Sequence, residues 1–252
     1  MRTKLIAAAA VAAVMALGGA GQAKANLVTN GGFENVTVDH SVEFGASYNY
    51  PNAIVGWSSP STNAFNLLFV DPATATTVDA DTRYTASEHQ RLAPSFGGAS
   101  PDGGKFVALD GDTSFNGPLQ QTITGLTAGK SYAVSFYWAA TQLSNRTGQT
   151  TEQLFVSLGS QTKNTGVVTN PSQGFQGWFK EKLVFTATST SELLSFLSIG
   201  TPGGLPPMAL LDGVDMEQVP EPATLALLGT GLAGFGLVAR RRRRQSAVAG
   251  AA

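Results

Sequence analysis

Four oxygen-bearing side chains at steps of two, Asp110, Asp112, Ser114 and Asn116, would suit a hard cation, because calcium is held by carboxylate and carbonyl oxygens. The spacing copies the start of an EF-hand loop. Phe115 stands where that loop turns on glycine, however, and Gln121 where it needs a bidentate glutamate. The stretch fails as an EF-hand and leaves at most a binding loop at a strand end. Catalytic chemistry has still less to work with. His40 and His89 are the two histidines, and neither an H-E-x-x-H zinc pair nor a G-x-S-x-G nucleophile elbow occurs. The chain has no cysteine, which excludes thiolate catalysis, sulfur-ligated zinc and disulfides. Carboxylate pairs for glycoside hydrolysis stay open, since their separation is invisible in a sequence. A non-enzymatic protein is expected.

Binding chemistry is better represented. A sugar ring stacks on an exposed aromatic face beside amides, carboxylates or cations, and Trp178 and Trp57 are the candidates, with Tyr48, Tyr50 and Trp138 behind them. Trp178 stands first because strand alternation puts it on one face with Lys180, Lys182 and Val184. The opposite set, Phe179, Glu181, Leu183 and Phe185, is the one to bury. For Trp57 and Trp138 the competing assignment is the core.

The elements that must position these residues lie between two terminal signals. Residues 1–25 read as a secretory signal peptide: Arg2 and Lys4, an apolar stretch from Leu5 to Leu17, and an A-x-A cleavage site at Ala23-Lys24-Ala25. At the other end Pro220-Glu221-Pro222 precedes an uncharged 17-residue run, Ala223 to Ala239, and then Arg240, Arg241, Arg242, Arg243 and Arg244. The run has the minimum length of a membrane-spanning helix, and the arginines would hold its end in the cytoplasm.

This order of elements resembles the PEP-CTERM sorting signal of exported proteins of Gram-negative bacteria. The resemblance implies processing by a membrane-embedded exosortase after passage through the general secretion machinery. It also implies a C-terminal membrane helix before processing, a cell-surface or extracellular location, and a setting of exopolysaccharide and biofilm. Residues 219–244 would be the sorting signal and 245–252 a cytoplasmic tail.

The body, residues 26–218, carries sixteen acidic and eight basic residues, a formal charge of −8. That argues against nucleic acid or an anionic membrane as its partner. Its length suffices for one full core. Alternating apolar residues predict strands at 65–70, 105–109, 119–124, 132–138, 153–158, 162–168, 175–188, 192–199 and 208–216. A short first strand is expected in 26–34, a long excursion over 71–91 with a helical turn near 87–92, and loops at 94–104 and 141–151. Many strands joined by glycine-rich turns predict an all-β antiparallel sandwich of jelly-roll type.

Asn30-Gly31-Gly32-Phe33-Glu34, the segment from Leu119 to Gly129, and Leu211-Asp212-Gly213-Val214-Asp215 resemble the galactose-binding-like jelly rolls, a group that includes carbohydrate-binding modules. The resemblance implies a structural calcium ion held by Glu34 and Asp212, clamping the first strand to the last. The leading expectation is an exported, exosortase-processed surface or matrix protein. The alternative is a module that binds a polysaccharide through exposed aromatics.

Overall fold

The computed structural model describes residues 26–46, 50–80 and 90–220. The strands are β1 (Val42–Phe44), β2 (Asn66–Phe69), β3 (Phe106–Asp110), β4 (Leu119–Thr124), β5 (Ser131–Gln142), β6 (Thr150–Leu158), β7 (Gln161–Asn164), β8 (Val168–Asn170), β9 (Gln176–Thr186), β10 (Ser191–Thr201) and β11 (Pro207–Gln218). One sheet runs β1-β2-β3-β11-β5-β9 and the other β4-β10-β6-β7, with β8 also on β6. Neighbouring strands are antiparallel. This is the expected all-β sandwich of jelly-roll type.

Strand alternation decides which side chains fill it. In β5, Tyr132, Val134, Phe136 and Trp138 turn into the main core, where they meet Leu154, Val156 and Leu158 of β6 and Leu194 and Phe196 of β10. Each side chain of this kind, fully buried, contributes about 1.5–3 kcal/mol. The outer face of the six-stranded sheet is covered too. Phe69, Phe106, Ala108, Met208 and Leu210 face away from the main core and form a second cluster with Ala75, Ala80 and Leu92 of the excursion. Two main-chain hydrogen bonds fold that excursion onto itself, Leu92 N to Ala75 O and Ala80 N to Gln90 O.

Several expectations need correction. The segment 26–34 forms no strand. Asn30 and Phe33 have positive φ, and the Asn30 amide closes a turn by accepting from Asn35 N and donating to Asn35 O and Val55 O, all at 2.9 Å. A 3₁₀ turn occurs at Pro72–Thr74; of the helical turn expected near 87–92, residues 87–89 lie outside the described residues, and Leu92 makes a β-bridge to Leu143. The 162–168 strand divides into β7 and β8 because the chain leaves the sheet edge at Thr165, whose hydroxyl accepts from Leu154 N.

The C-terminal membrane helix is also corrected, and with it the membrane as a partner and the anchored location. Among the described residues no helix is long and apolar enough to cross a membrane. The run 223–239, on which that expectation rested, lies outside the described residues, as do the signal peptide with Ala23 and Ala25, and Glu221, Pro222 and Arg240 to Arg244. By contact pattern the chain forms two units, 1–217 and 218–252. The first holds the sandwich.

Candidate functional site

The outer cluster has a half-exposed rim made by Phe96, Phe175 and Trp178. Trp178 lies near the start of β9 on the outward face, as alternation predicts, two and four residues ahead of Lys180 and Lys182. Its ring stands edge-on to Phe106 with centroids 5.8 Å apart, and 6.5 Å from Phe175. Phe96 is 5.4 Å from Phe106 and perpendicular to Phe175 at 5.5 Å. The indole Nε1–H donates to Gly98 O at 3.0 Å, which fixes the ring's orientation. Gly97 permits the approach of the loop, since a Cβ there would lie 2.7 Å from a Phe175 ring carbon. The Ser95 hydroxyl donates to Gln173 O, so the loops on either side of the rim are bonded together. The result is a preformed aromatic rim, partly buried against the outer cluster and partly open to solvent.

The neighbouring outward positions carry charge. Lys180 lies 5.3 Å from the centre of the Tyr137 ring, and Lys182 Nζ is 3.6 Å from Glu217 Oε1. Asp215 is held above the usual carboxylate range by burial and by Glu217, against the pull of Lys182 and Lys180. Cations and carboxylates therefore follow Trp178 along the outward side of β9 and its neighbours, where they engage Tyr137 and Glu217.

Trp57 is placed differently. It is 4% exposed, its ring packs on Phe33 and Phe196, and its Nε1–H donates to Asn30 O. Its ring faces the core. Trp138 is buried as well.

Glu34 and Asp212 come to the same end of the six-stranded sheet, joined by Asp102. Asp212 is fully buried; its Oδ1 accepts from Gly213 N at 2.7 Å and its Oδ2 from the Ser100 hydroxyl. Burial pushes its pKa up to about 7, and Asp102 and Glu34 add to the rise while the two donors oppose it. Glu34 accepts from Lys105 N at 2.6 Å and pairs with Lys105 Nζ at 3.1 Å. Glycines clear the space between: a Cβ on Gly32 would lie 2.7 Å from Asp102 Oδ2 and 4.0 Å from Asp212 Oδ1. The donors fit a hard cation in type. They do not form a three-carboxylate nest, for no group of three or more His, Cys, Asp or Glu side chains among the described residues is placed to hold a metal. An ion here would draw on Glu34 and Asp212 and complete its six to eight ligands with main-chain carbonyls and water.

The loop at 110–116 is structural. Asp110 Oδ1 accepts from Asp112 N, and Asp112 accepts from Ser114 N and from Gly204 N at 2.6 Å. Asn116 donates to Ser198 O. Main-chain N–H groups thus occupy three of the four carboxylate oxygens of Asp110 and Asp112. His40 is exposed beside Asp39, and His89 lies outside the described residues.

The family model for the PEP-CTERM protein-sorting motif matches residues 218–244, so the chain carries that motif. Halomucin from Haloquadratum walsbyi is 26% identical over 216 residues, 86% of this chain and 2% of that protein; the chain thus spans a very small part of the curated relative it matches. Among solved structures, TmCBM61 in complex with β-1,4-galactotriose overlaps 77% of this chain and 99% of its own at 15% identity, with a TM-score of 0.39. A CBM4 structure covers 76% and 99% at 17% identity with a TM-score of 0.31. A sugar-binding protein from Bacteroides thetaiotaomicron covers 77% and 100% at 11% identity with a TM-score of 0.34. The fold resembles these distant carbohydrate-binding-module jelly rolls. TM-scores this low bear on neither ligand nor site.

Proposed function

We propose that this is an exported, non-catalytic protein that binds an exopolysaccharide at the Trp178 rim and is delivered by its PEP-CTERM motif. One observation supports the binding half of that reading: three partly buried aromatic rings, Phe96, Phe175 and Trp178, form a rim on the outer face of the six-stranded sheet, with the indole held by Gly98. Rigid aromatics lose little freedom when a ligand stacks on them, and the sugar's C–H face replaces water on their surface. Trp178→Ala removes the largest ring and lowers affinity for the host's own exopolysaccharide about tenfold or more, equivalent to about 1.4 kcal/mol. Affinity electrophoresis in gels containing that polysaccharide reads the change, and an unchanged circular dichroism spectrum shows that the fold persists. Equal retardation of wild type and variant would sink the reading.

The sorting half rests on the matched motif at 218–244. Exosortase is the proposed partner, and the cell surface or extracellular matrix the proposed destination. Processing at both ends predicts a mature chain that begins at Asn26 and has lost Arg240 to Arg244. Intact mass of the protein recovered from its host checks this, and retained arginines would contradict it.

A further inference from the structure

A cavity beside β4 is a separate site, and we propose that it takes a neutral saccharide. It is a groove of about 640 Å³ beside β4, within the roughly 300–1,000 Å³ typical of small-ligand sites. β4 ends the five-stranded sheet, and β7 ends it on the other side. The groove lies by the β4 end of the five-stranded sheet and the Trp178 rim on the outer face of the six-stranded sheet, and the two share no residue. The site does not depend on the Trp178 reading.

The floor of the groove is rigid. The Gln121 side chain, 6% exposed, accepts from Thr29 N at 2.8 Å and donates to Thr29 O at 2.8 Å and Gly56 O at 3.0 Å. One amide thus ties together the N-terminal segment, the turn at Gly56 and β4. The walls offer the polar side chains of Asn52, Gln120 and Thr122 beside Val55 and Leu193, which are 38% and 42% exposed. These two are among only seven large hydrophobics exposed on the described residues. Among the described residues no ionisable side chain lines the groove, although the body as a whole carries −8. A charged ligand would leave water and meet no counter-charge. A neutral pyranose has the matching surface, an apolar C–H face and a hydroxyl edge.

A peptide strand is the competing occupant, because β4 is an edge strand. The edge is closed where the groove begins. Ser58 N donates to Gln120 O at 2.9 Å and Gln120 N to Ser58 O at 2.8 Å, taking the main-chain groups that an added strand would pair with there.

Hydrogen–deuterium exchange of the mature protein tests the assignment. The probes are cellohexaose, mannohexaose, xylohexaose and β-1,4-galactohexaose as neutral saccharides, hexagalacturonate as the acidic control, and an uncharged oligothreonine peptide. At least one neutral hexaose slows exchange in 52–58 and 119–123, and hexagalacturonate and the peptide do not. Leu193→Arg, at an exposed position, weakens that protection about tenfold or more, as does Thr122→Tyr, which fills the groove. Trp178→Ala leaves it unchanged. The proposal is overturned if no neutral hexaose protects these segments, if hexagalacturonate protects them equally, or if only the peptide does. It is also overturned if both groove variants bind as wild type, or if protection disappears with Trp178→Ala.

Discussion

Glu152 has no exposed surface in β6. Its Oε1 accepts the Thr150 hydroxyl at 2.5 Å, and its Oε2 has no hydrogen-bond partner among the described residues. Burial, partly opposed by that hydroxyl, pushes its pKa up to about 8 from an ordinary 4.5. Between those values the folded state keeps a proton that the unfolded chain has released, so stability falls as pH rises through the window. Glu152→Gln removes that dependence. Its melting temperature exceeds that of wild type at pH 8.5, by an amount equivalent to at most roughly 5 kcal/mol, and the gap closes toward pH 4. A gap independent of pH would contradict the assignment. At this scale the sequence is legible where strand alternation governs. Phe185 goes inward as alternation predicts, but of the set expected to be buried Glu181 and Leu183 are only partly so and Phe179 is 39% exposed, near the register shift that interrupts the β5–β9 pairing beside Trp178. Phe96 and Phe175, which complete the rim, sit in loops without a period, and only the tertiary fold brings them to Trp178. Trp57, between Gly56 and Ser58, had no alternation to choose its side.

Elements show where local pattern gives way to distant contact. Segment 26–34 reads as a strand, yet Gly31 lies so close to β11 that a Cβ would sit 1.8 Å from Val214 O, and Asn30 folds the chain into a turn. The same packing brings the first segment to the last strand: Leu27 N donates to Met216 O, and Val214 N to Gly31 O. Gly213, at φ +58, marks the place in β11 where the side-chain sequence changes face, with Leu211 before it and Val214 after it both in the main core. Asp212 is thereby buried next to Asp102. We propose calcium as the ion that offsets this charge. Asp212 releases its proton near pH 7 when no cation is present, and a bound ion stabilises only the folded state. Calcium at millimolar concentration raises the melting temperature of wild type at pH 7.5, less so at pH 5, where the proton competes, and leaves Asp212→Asn unmoved. Equal shifts in wild type and variant would remove the clamp.

The whole molecule follows from alternation and turns, since nearly every strand from β2 onward begins and ends within a few residues of its sequence-based position. What alternation does not contain is the strand order. That β11 lies between β3 and β5, and that β4 starts the second sheet, depends on pairings as distant as Leu211 with Val107. Hence the rim and the groove, each assembled from three or more distant segments, appear only in the folded chain. Tryptophan fluorescence addresses the central claim directly, because Trp57 and Trp138 are buried and Trp178 alone of the three is half-exposed. The mature protein, titrated with its host's exopolysaccharide, is followed by acrylamide quenching. Saturating polysaccharide protects the quenchable fraction, and Trp178→Phe abolishes the protected signal. Quenching that polysaccharide leaves unchanged, or protection that survives Trp178→Phe, would contradict it.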